Sequence, residues 1–167
     1  DVVDVCMAAF ARLEKAAAAR RGDSPLCSID SLDLEPGADA TGVPSDTYEL
    51  VISVAPAEDI EPMRTLIAEE CTTPFTVTFI TDAGTSFDEH YNDAFAQVWQ
   101  RGADCILSMG ADMPALTVDD VVRGFEALHE LDANDAGGIV LAPDQEMGVS
   151  IIGWTKSTAF DHNGVFY

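Results

Sequence analysis

The segment at residues 110–117 (GADMPALT) places a carboxylate where an enzyme built on a parallel sheet could use one. An apolar run, residues 105–109 (CILSM), comes directly before it and predicts a buried strand. Ligands of open parallel sheets bind beyond the carboxyl ends of the strands, and Asp112 would stand just past such an end. A carboxylate there can hold a divalent metal against phosphate oxygens. Asp112 is therefore a candidate metal ligand; the alternative is that it only caps the turn that Pro114 fixes.

A second acidic segment, residues 143–148 (PDQEMG), lies between two apolar runs that predict strands. It would bring Asp144, Glu146 and Gly148 to the same end of the sheet as Asp112. Carboxylates that converge from two loops can share a metal ion, and one of them can act as a general base. The alternative is a tight turn that is acidic only because the whole chain is acidic.

A third segment, residues 82–90 (DAGTSFDEH), predicts a turn from a strand into a helix. Backbone N–H groups at the start of that helix could bind an anion. Asp88 and Glu89 bring negative charge to the same place, and they stabilise the helix dipole equally well. The three histidines show no spacing typical of zinc ligands, and no GxSxG, GxGxxG or Walker A motif occurs. Nucleophile-elbow, dinucleotide-binding and P-loop sites are therefore excluded.

The elements that must position these residues alternate between helix and strand. This alternation predicts an α/β fold, with a mostly parallel central sheet and helices on both faces in three α/β/α layers. Helical periodicity favours helices over residues 2–21, 58–70, 86–100 and from Thr117 onward. In the third helix we expect five residues to face the core: Phe87, Tyr91, Phe95, Val98 and Trp99. Apolar runs favour strands at residues 26–34, 49–55, 75–81, 105–109, 138–142 and 149–154.

The composition is strongly acidic, with 30 Asp and Glu residues against 8 Lys and Arg and a formal net charge of −22. Such a surface repels itself at ordinary ionic strength, and molar salt screens the repulsion. Acids scattered through a globular pattern predict a halophilic, cytoplasmic protein. The lack of a basic patch argues against nucleic-acid binding, and the lack of a long apolar run argues against a membrane span. The four cysteines have no metal-site spacing, so we expect structural thiols.

Taken in order, the three segments resemble those of the GT-A-fold glycosyltransferases known as nucleotide-diphospho-sugar transferases. The resemblance covers residues 1–154. The family's Gly-Ser-Asp-x-Pro-x-Leu motif matches residues 110–116, and its Gly-Pro-Ala-x-Asp-Gly-Gly-Tyr-Tyr-Leu-Ile-Gly stretch corresponds to residues 142–153 (APDQEMGVSIIG). A Gln-x-Gly-x-Asp-Leu-Gly-Glu-Arg motif falls on residues 82–90. With its acidic composition, the chain looks like a halophilic, archaeal-type member.

The resemblance implies a GT-A-like domain over residues 1–167, a Mg²⁺ or Mn²⁺ cofactor and a nucleotide-sugar or nucleotide ligand. On the matching positions, Asp112 and Glu146 would hold the metal and act in catalysis, Glu146 also as a base toward the acceptor hydroxyl. Four further residues would contact the bound cofactor and nucleotide: Gly110, Ala111, Asp144 and Gly148.

The chain departs from the family at several positions. Glu146 replaces the family's Asp, and Met147 replaces the first of its two glycines. The Met147 side chain restricts how closely a ligand can approach the backbone there. His90 stands where the family has Arg. The family's first strand and its phosphate-binding loop would lie before Asp1, and we expect the C-terminal end to be missing too.

Three functions fit the sequence. The first is metal-dependent transfer from a nucleotide-activated sugar. The second is nucleotidyl transfer on the same fold, as in guanylyltransferases. The third is a catalytically inactive ligand-binding or regulatory domain, which the degraded second and third motifs favour. The nucleotide base, the acceptor and the oligomeric state are left open.

Overall fold

The computed structural model describes residues 2–21, 48–70, 77–134, 137–143 and 148–158. Its helices are α1 (Val2–Arg21), α2 (Ile60–Glu70), α3 (Phe87–Gln100) and α4 (Val118–Asp132), with a short 3-10 helix at Ala57–Asp59. Its strands are β1 (Leu50–Ser53), β2 (Val77–Ile80), β3 (Cys105–Met109), β4 (Ile139–Pro143) and β5 (Val149–Thr155). The strand predicted at residues 26–34 lies outside the described residues. The other predicted helices and strands are confirmed to within a few residues at each end.

The described strands form two hydrogen-bonded groups. β1 pairs with β2 in parallel, with Leu50 opposite Val77. β5 lies between β3 and β4 and runs antiparallel to both. The α/β class is confirmed. The predicted single, mostly parallel sheet in three layers is not confirmed, because two of the three described strand pairings are antiparallel.

The short connection between β4 and β5 explains the antiparallel pairing. β4 ends at Pro143 and β5 begins at Val149, so only residues 144–148 join them. A connection of that length turns the chain back on itself, whereas parallel neighbours need a crossover of about a dozen residues or more. β3 and β4 are joined through α4, and β5 fits between them in the opposite direction.

The antiparallel sheet carries helices on both faces. Side chains alternate along a strand, so Met109 of β3 and Ile151 of β5 pack with α1 and α4, whereas Ile106 and Trp154 pack with Phe95 of α3. The core on the α1 and α4 side is the larger. Its buried members are Cys6, Met7, Ala9, Phe10, Leu13, Leu116, Val121, Val122 and Ile151.

Cys6 confirms the expectation of a structural thiol. It is buried on α1, and its sulfur lies 3.9 Å from the sulfur of Met109. Burial raises the pKa of the Cys6 thiol to about 11, so the thiol stays protonated and behaves as a small apolar side chain. Cys105, the first residue of β3, is half-buried.

The parallel pair β1–β2 packs against the same large core through Leu50 and Val77. In the described part of the chain its only hydrogen-bonded strand pairing is internal, and β3 is paired only with β5. No described helix is both long and apolar enough to cross a bilayer.

Candidate functional site

Contacts of α3 define which ends of the strands lie together. Near the start of α3, the Tyr91 hydroxyl lies 2.7 Å from the Ser108 hydroxyl, close to the end of β3. At the same end of the helix, His90 contacts Asp82, which follows β2. Strands β1, β2 and β3 therefore end on one side of the molecule, which we call the carboxyl edge. This is the side on which open α/β sheets bind ligands.

Strand β5 begins at the carboxyl edge, because it runs antiparallel to β3. Ile151 of β5 pairs with Met109, the last residue of β3, and Gly148 directly precedes β5. The structure therefore brings Gly148 to the edge that also carries Gly110, Ala111 and Asp112. The predicted residues Asp144 and Glu146 lie outside the described residues.

Asp112 occupies an exposed turn just beyond β3. A Cβ atom added at Gly110 would stand 2.8 Å from Asp112 Oδ1, so the carboxylate folds back over that glycine. The turn is anchored by Met113, which packs against the large core and accepts a hydrogen bond from the N–H of the buried Leu116. No described residue forms a hydrogen bond or an ion pair with the Asp112 carboxylate. Within the described part of the chain its oxygens are open to a ligand.

A metal site at Asp112 would need ligands from outside the described side chains. Among the described residues, no group of three or more His, Cys, Asp or Glu side chains is arranged to hold a metal ion. Mg²⁺ is commonly held by one or two carboxylates, with water and substrate phosphates in the other positions. One exposed carboxylate with open oxygens fits a site of that kind.

Asp82 ties β1 to α3 through both of its carboxylate oxygens. Oδ2 accepts a hydrogen bond from Ser53 Oγ at 2.6 Å, and Oδ1 lies 2.8 Å from His90 Nδ1. The Asp82 side chain is 15% exposed and the His90 side chain is 38% exposed. The acid is thus largely covered while the imidazole reaches solvent. We call Ser53, Asp82 and His90 the carboxyl-edge cluster.

The loop between β2 and α3 is fixed by its hydrogen bonds to the helix. Ser86 caps α3 by accepting from the Glu89 N–H. The Glu89 carboxylate accepts from the hydroxyl and from the N–H of Thr85, both at 2.6 Å, and these bonds lower the pKa of Glu89. A Cβ at Gly84 would stand 2.7 Å from the Glu89 Cβ, so only glycine fits this approach. The loop therefore holds Asp82 in a defined position.

A second polar cluster lies at the opposite ends of the same strands. Arg101, just after α3, donates a 2.5 Å hydrogen bond to Glu49, and the Thr78 hydroxyl donates to the same carboxylate. Burial acts to raise the pKa of Glu49, but the hydrogen bonds from Thr78 and Arg101 outweigh it and lower the pKa below its ordinary value. We call Glu49, Thr78 and Arg101 the amino-edge cluster.

The predicted core position of Phe87 is wrong. It is 64% exposed, because it is the first residue of α3 and lies at the carboxyl edge. Its ring stacks on Tyr91 at a centroid distance of 5.2 Å, and Tyr91 in turn meets the buried Phe95 edge to face at 4.4 Å. Phe95 and Trp99 pack in the core as predicted.

Sequence reasoning missed Ser53 and the contact between Asp82 and His90. A usable signal was present: Ser53 is the polar last residue of an otherwise apolar strand, and Asp82 follows the end of the next one. Residues that end neighbouring parallel strands meet at one edge. The pairing of Asp82 with His90 needed the course of the loop, which the sequence pattern does not predict.

A protein family and a solved structure match this chain. A family model described as "Uncharacterized protein conserved in bacteria (DUF2064)" matches residues 43–167. The chain is similar in structure to a candidate nucleotide-diphospho-sugar transferase from Desulfovibrio desulfuricans G20, with 15% identity and a TM-score of 0.55. That match covers 95% of this chain and 55% of the other, so the chain spans about half the length of the solved protein. No curated protein matches. The likeness shows a shared fold, and nothing in it supports a halophilic, archaeal-type origin.

Proposed function

The chain belongs to the DUF2064 family, and we propose that it is a transferase acting on a nucleotide-activated sugar, with Mg²⁺ or Mn²⁺ bound at Asp112. The fold shared with a candidate nucleotide-diphospho-sugar transferase supports this function. In glycosyl transfer the bond between the sugar C1 and the diphosphate breaks, and the diphosphate leaves with the electron pair. A site for this reaction must neutralise negative charge as the bond breaks.

The observation that carries the proposal is the exposed Asp112 carboxylate with no described protein partner. Asp120, eight residues later, shows what a structural carboxylate does in the same region. It accepts the Thr117 N–H at 2.9 Å and the Thr117 hydroxyl at 2.7 Å, completing the capping box of α4. Asp112 makes no such bond to a described N–H, which argues against a capping role and favours a ligand.

The other predicted residues take supporting roles. We assign Glu146 as a second metal ligand, or as the base toward the acceptor hydroxyl. Gly110, Ala111, Asp144 and Gly148 would contact the bound metal and diphosphate. The position of Gly148 at the carboxyl edge supports its assignment, because a glycine lets a ligand approach the backbone closely.

Electrostatics gives an independent reason for metal dependence. A chain with a net charge of −22 repels an anionic nucleotide unless a cation mediates the contact. Arg12 on α1 is paired with Asp119 at the start of α4. A divalent metal bound at Asp112 would supply positive charge where the diphosphate lies.

Calorimetry tests the proposal directly. The protein is titrated with UDP-, GDP-, CDP- and ADP-linked hexoses, with and without Mn²⁺, at low salt and in about 2 M KCl, where the Debye length is below about 3 Å. Asp112→Asn removes the proposed ligand. Asp104→Asn is the matched control, because Asp104 is also exposed but precedes β3 at its opposite end.

We expect metal-dependent binding of one donor that is lost in Asp112→Asn and kept in Asp104→Asn. Binding that is equal with and without metal would contradict the role of Asp112. A folded protein that binds none of the donors would favour the inactive regulatory domain. Release of pyrophosphate from a free nucleoside triphosphate, without turnover of sugar nucleotides, would instead identify a nucleotidyltransferase.

A further inference from the structure

The carboxyl-edge cluster holds a histidine in an orientation suited to taking up a proton. His90 Nδ1 lies 2.8 Å from Asp82 Oδ1. An ionised carboxylate only accepts hydrogen bonds, so Nδ1 carries the proton, and in the neutral ring Nε2 keeps the free lone pair. Asp82 in turn accepts a hydrogen bond from Ser53 Oγ at 2.6 Å. Ser53 on β1 therefore helps to fix Asp82, and Asp82 orients the His90 ring.

Part of the His90 side chain reaches solvent. The His90 side chain is 38% exposed, and no described residue is hydrogen-bonded to Nε2. The cluster also lies at the edge that carries Asp112, as the contact between Tyr91 and Ser108 shows. A carboxylate that orients a histidine while its other nitrogen faces a reactant is the arrangement by which many enzymes position a general base.

An exposed imidazole at the carboxyl edge could either bind an anion or take up a proton. The surrounding charge decides between these two roles. Asp82 gives the pair a net negative charge while the ring is neutral, and Glu89 on the same helix adds to it. This field repels a phosphate. The cluster is therefore unsuited to anion binding, whereas the lone pair on Nε2 of the oriented ring can accept a proton from a reactant.

We propose that His90 is the catalytic base of the transferase and that Asp82 is its positioning residue. The inference rests on the proposed function. The acceptor hydroxyl gives its proton to Nε2 while its oxygen forms the bond to the sugar C1. The bond from C1 to the diphosphate breaks, and the diphosphate departs with that electron pair. Glu146 then serves the metal and not the acceptor.

The acceptor that this geometry suits carries its hydroxyl beside an apolar face. Phe87 precedes His90 by one helical turn, so the two side chains lie on the same side of α3. The Phe87 ring is 64% exposed and is backed by Tyr91. Such a ring can stack on the flat face of a sugar or an aryl group while the neighbouring hydroxyl meets His90.

The test compares His90→Asn with His129→Asn. The asparagine at position 90 keeps a polar group that can bond to Asp82 but has nothing in place of Nε2. His129 is on α4, outside the cluster, and serves as the control. Donor affinity is measured by calorimetry with the four sugar nucleotides and Mn²⁺. Turnover is followed as nucleoside diphosphate release from the same donors, with p-nitrophenyl glycosides as acceptors and with water.

We expect His90→Asn to keep the donor Kd within about twofold while kcat falls by about 100-fold or more, the usual contribution of a general base. Asp82→Asn should lower kcat by less and leave the donor Kd unchanged, because it disturbs only the orientation of the ring.

Three results would contradict the inference, each in a different way. Unchanged kcat in His90→Asn with normal donor binding would make the role of His90 wrong and leave the proposed function standing. Absence of donor binding by the folded wild-type protein would overturn both. Nitrogen-15 NMR of the free protein checks the premise without any substrate, since a neutral ring protonated on Nε2 would also contradict the inference.

Discussion

The antiparallel sheet and the parallel pair differ in how deeply they are buried. In β5 the last five residues, 151–155, are all buried, whereas no residue of β1 or β2 is. The sheet β3-β5-β4 with its helices is therefore the framework of the described structure. The pair β1–β2 is half-buried and carries a polar cluster at each end. Apolar burial dominates folding free energy, so the antiparallel sheet contributes most to stability, whereas both polar clusters lie at the ends of the less buried parallel pair.

The largest effect that would test this division is a leucine truncation in the framework. Leu128 on α4 is fully buried, and Leu128→Ala should lower the free energy of unfolding by about 3 kcal/mol. Leu66→Ala is the matched control on α2, beside the parallel pair, where the side chain is 52% exposed and a change below about 0.5 kcal/mol is expected. Urea unfolding measures both, and equal losses would break the comparison.

The more buried carboxyl-edge cluster should contribute more to stability than the amino-edge cluster. Asp82→Ala leaves Ser53 and His90 without their shared acceptor, and the acid is 15% exposed. We expect a loss of about 2 kcal/mol. Glu49→Ala breaks a more exposed ion pair and should cost less than about 1 kcal/mol. A larger loss at Glu49 than at Asp82 would show that the amino-edge cluster is the structural one.

The amino-edge cluster should also show itself in the pH dependence of stability. The folded pKa of Glu49 is lowered from 4.5, so its contribution is present above that pH and is lost as the pH falls through the lowered value. The difference in unfolding free energy between wild type and Glu49→Gln should be constant near neutral pH and shrink to nothing in acid. Glu89 and Asp120 also have lowered pKa values. Both residues are present in wild type and variant, so their contributions cancel in the difference in unfolding free energy. A difference that persists unchanged in acid would contradict this expectation.

The smallest expected effect on stability is at Phe87. Because its ring is 64% exposed, Phe87→Ala should change the free energy of unfolding by less than about 0.5 kcal/mol. Phe95→Ala, two ring contacts deeper in the same aromatic series, should cost about 3 kcal/mol or more. Thermal unfolding of the two variants checks the pair. A large loss at Phe87 would mean that the ring is structural and not a surface for an acceptor.

Local signals in the sequence predicted the elements well. Thr117 was predicted to start a helix, and it caps α4 with Asp120 in a reciprocal capping box. Such signals act over three or four residues, so the sequence contains them in full. Asp112 was likewise placed just past a strand end, because the apolar run before it is unambiguous.

Strand pairing and side-chain partners could not be predicted in the same way. The alternation of elements favoured parallel neighbours, but the five residues between β4 and β5 permit only a hairpin. The length of this connection can be read from the sequence. It is stronger evidence for the direction of strand pairing than the alternation of helices and strands. Ser53 and Asp82 are 29 residues apart and meet only through the register of β1 on β2. That register depends on the packing of the whole fold.

The separation of the strands into two groups has a consequence for behaviour in solution. In the described structure β1 and β3 each have one edge without a hydrogen-bonded strand. Such edges are templates on which another chain can add a strand. A net charge of −22 keeps chains apart and so protects these edges. Salt therefore acts in two directions here: it relieves repulsion within one chain, and it removes the repulsion that keeps two chains from joining edge to edge.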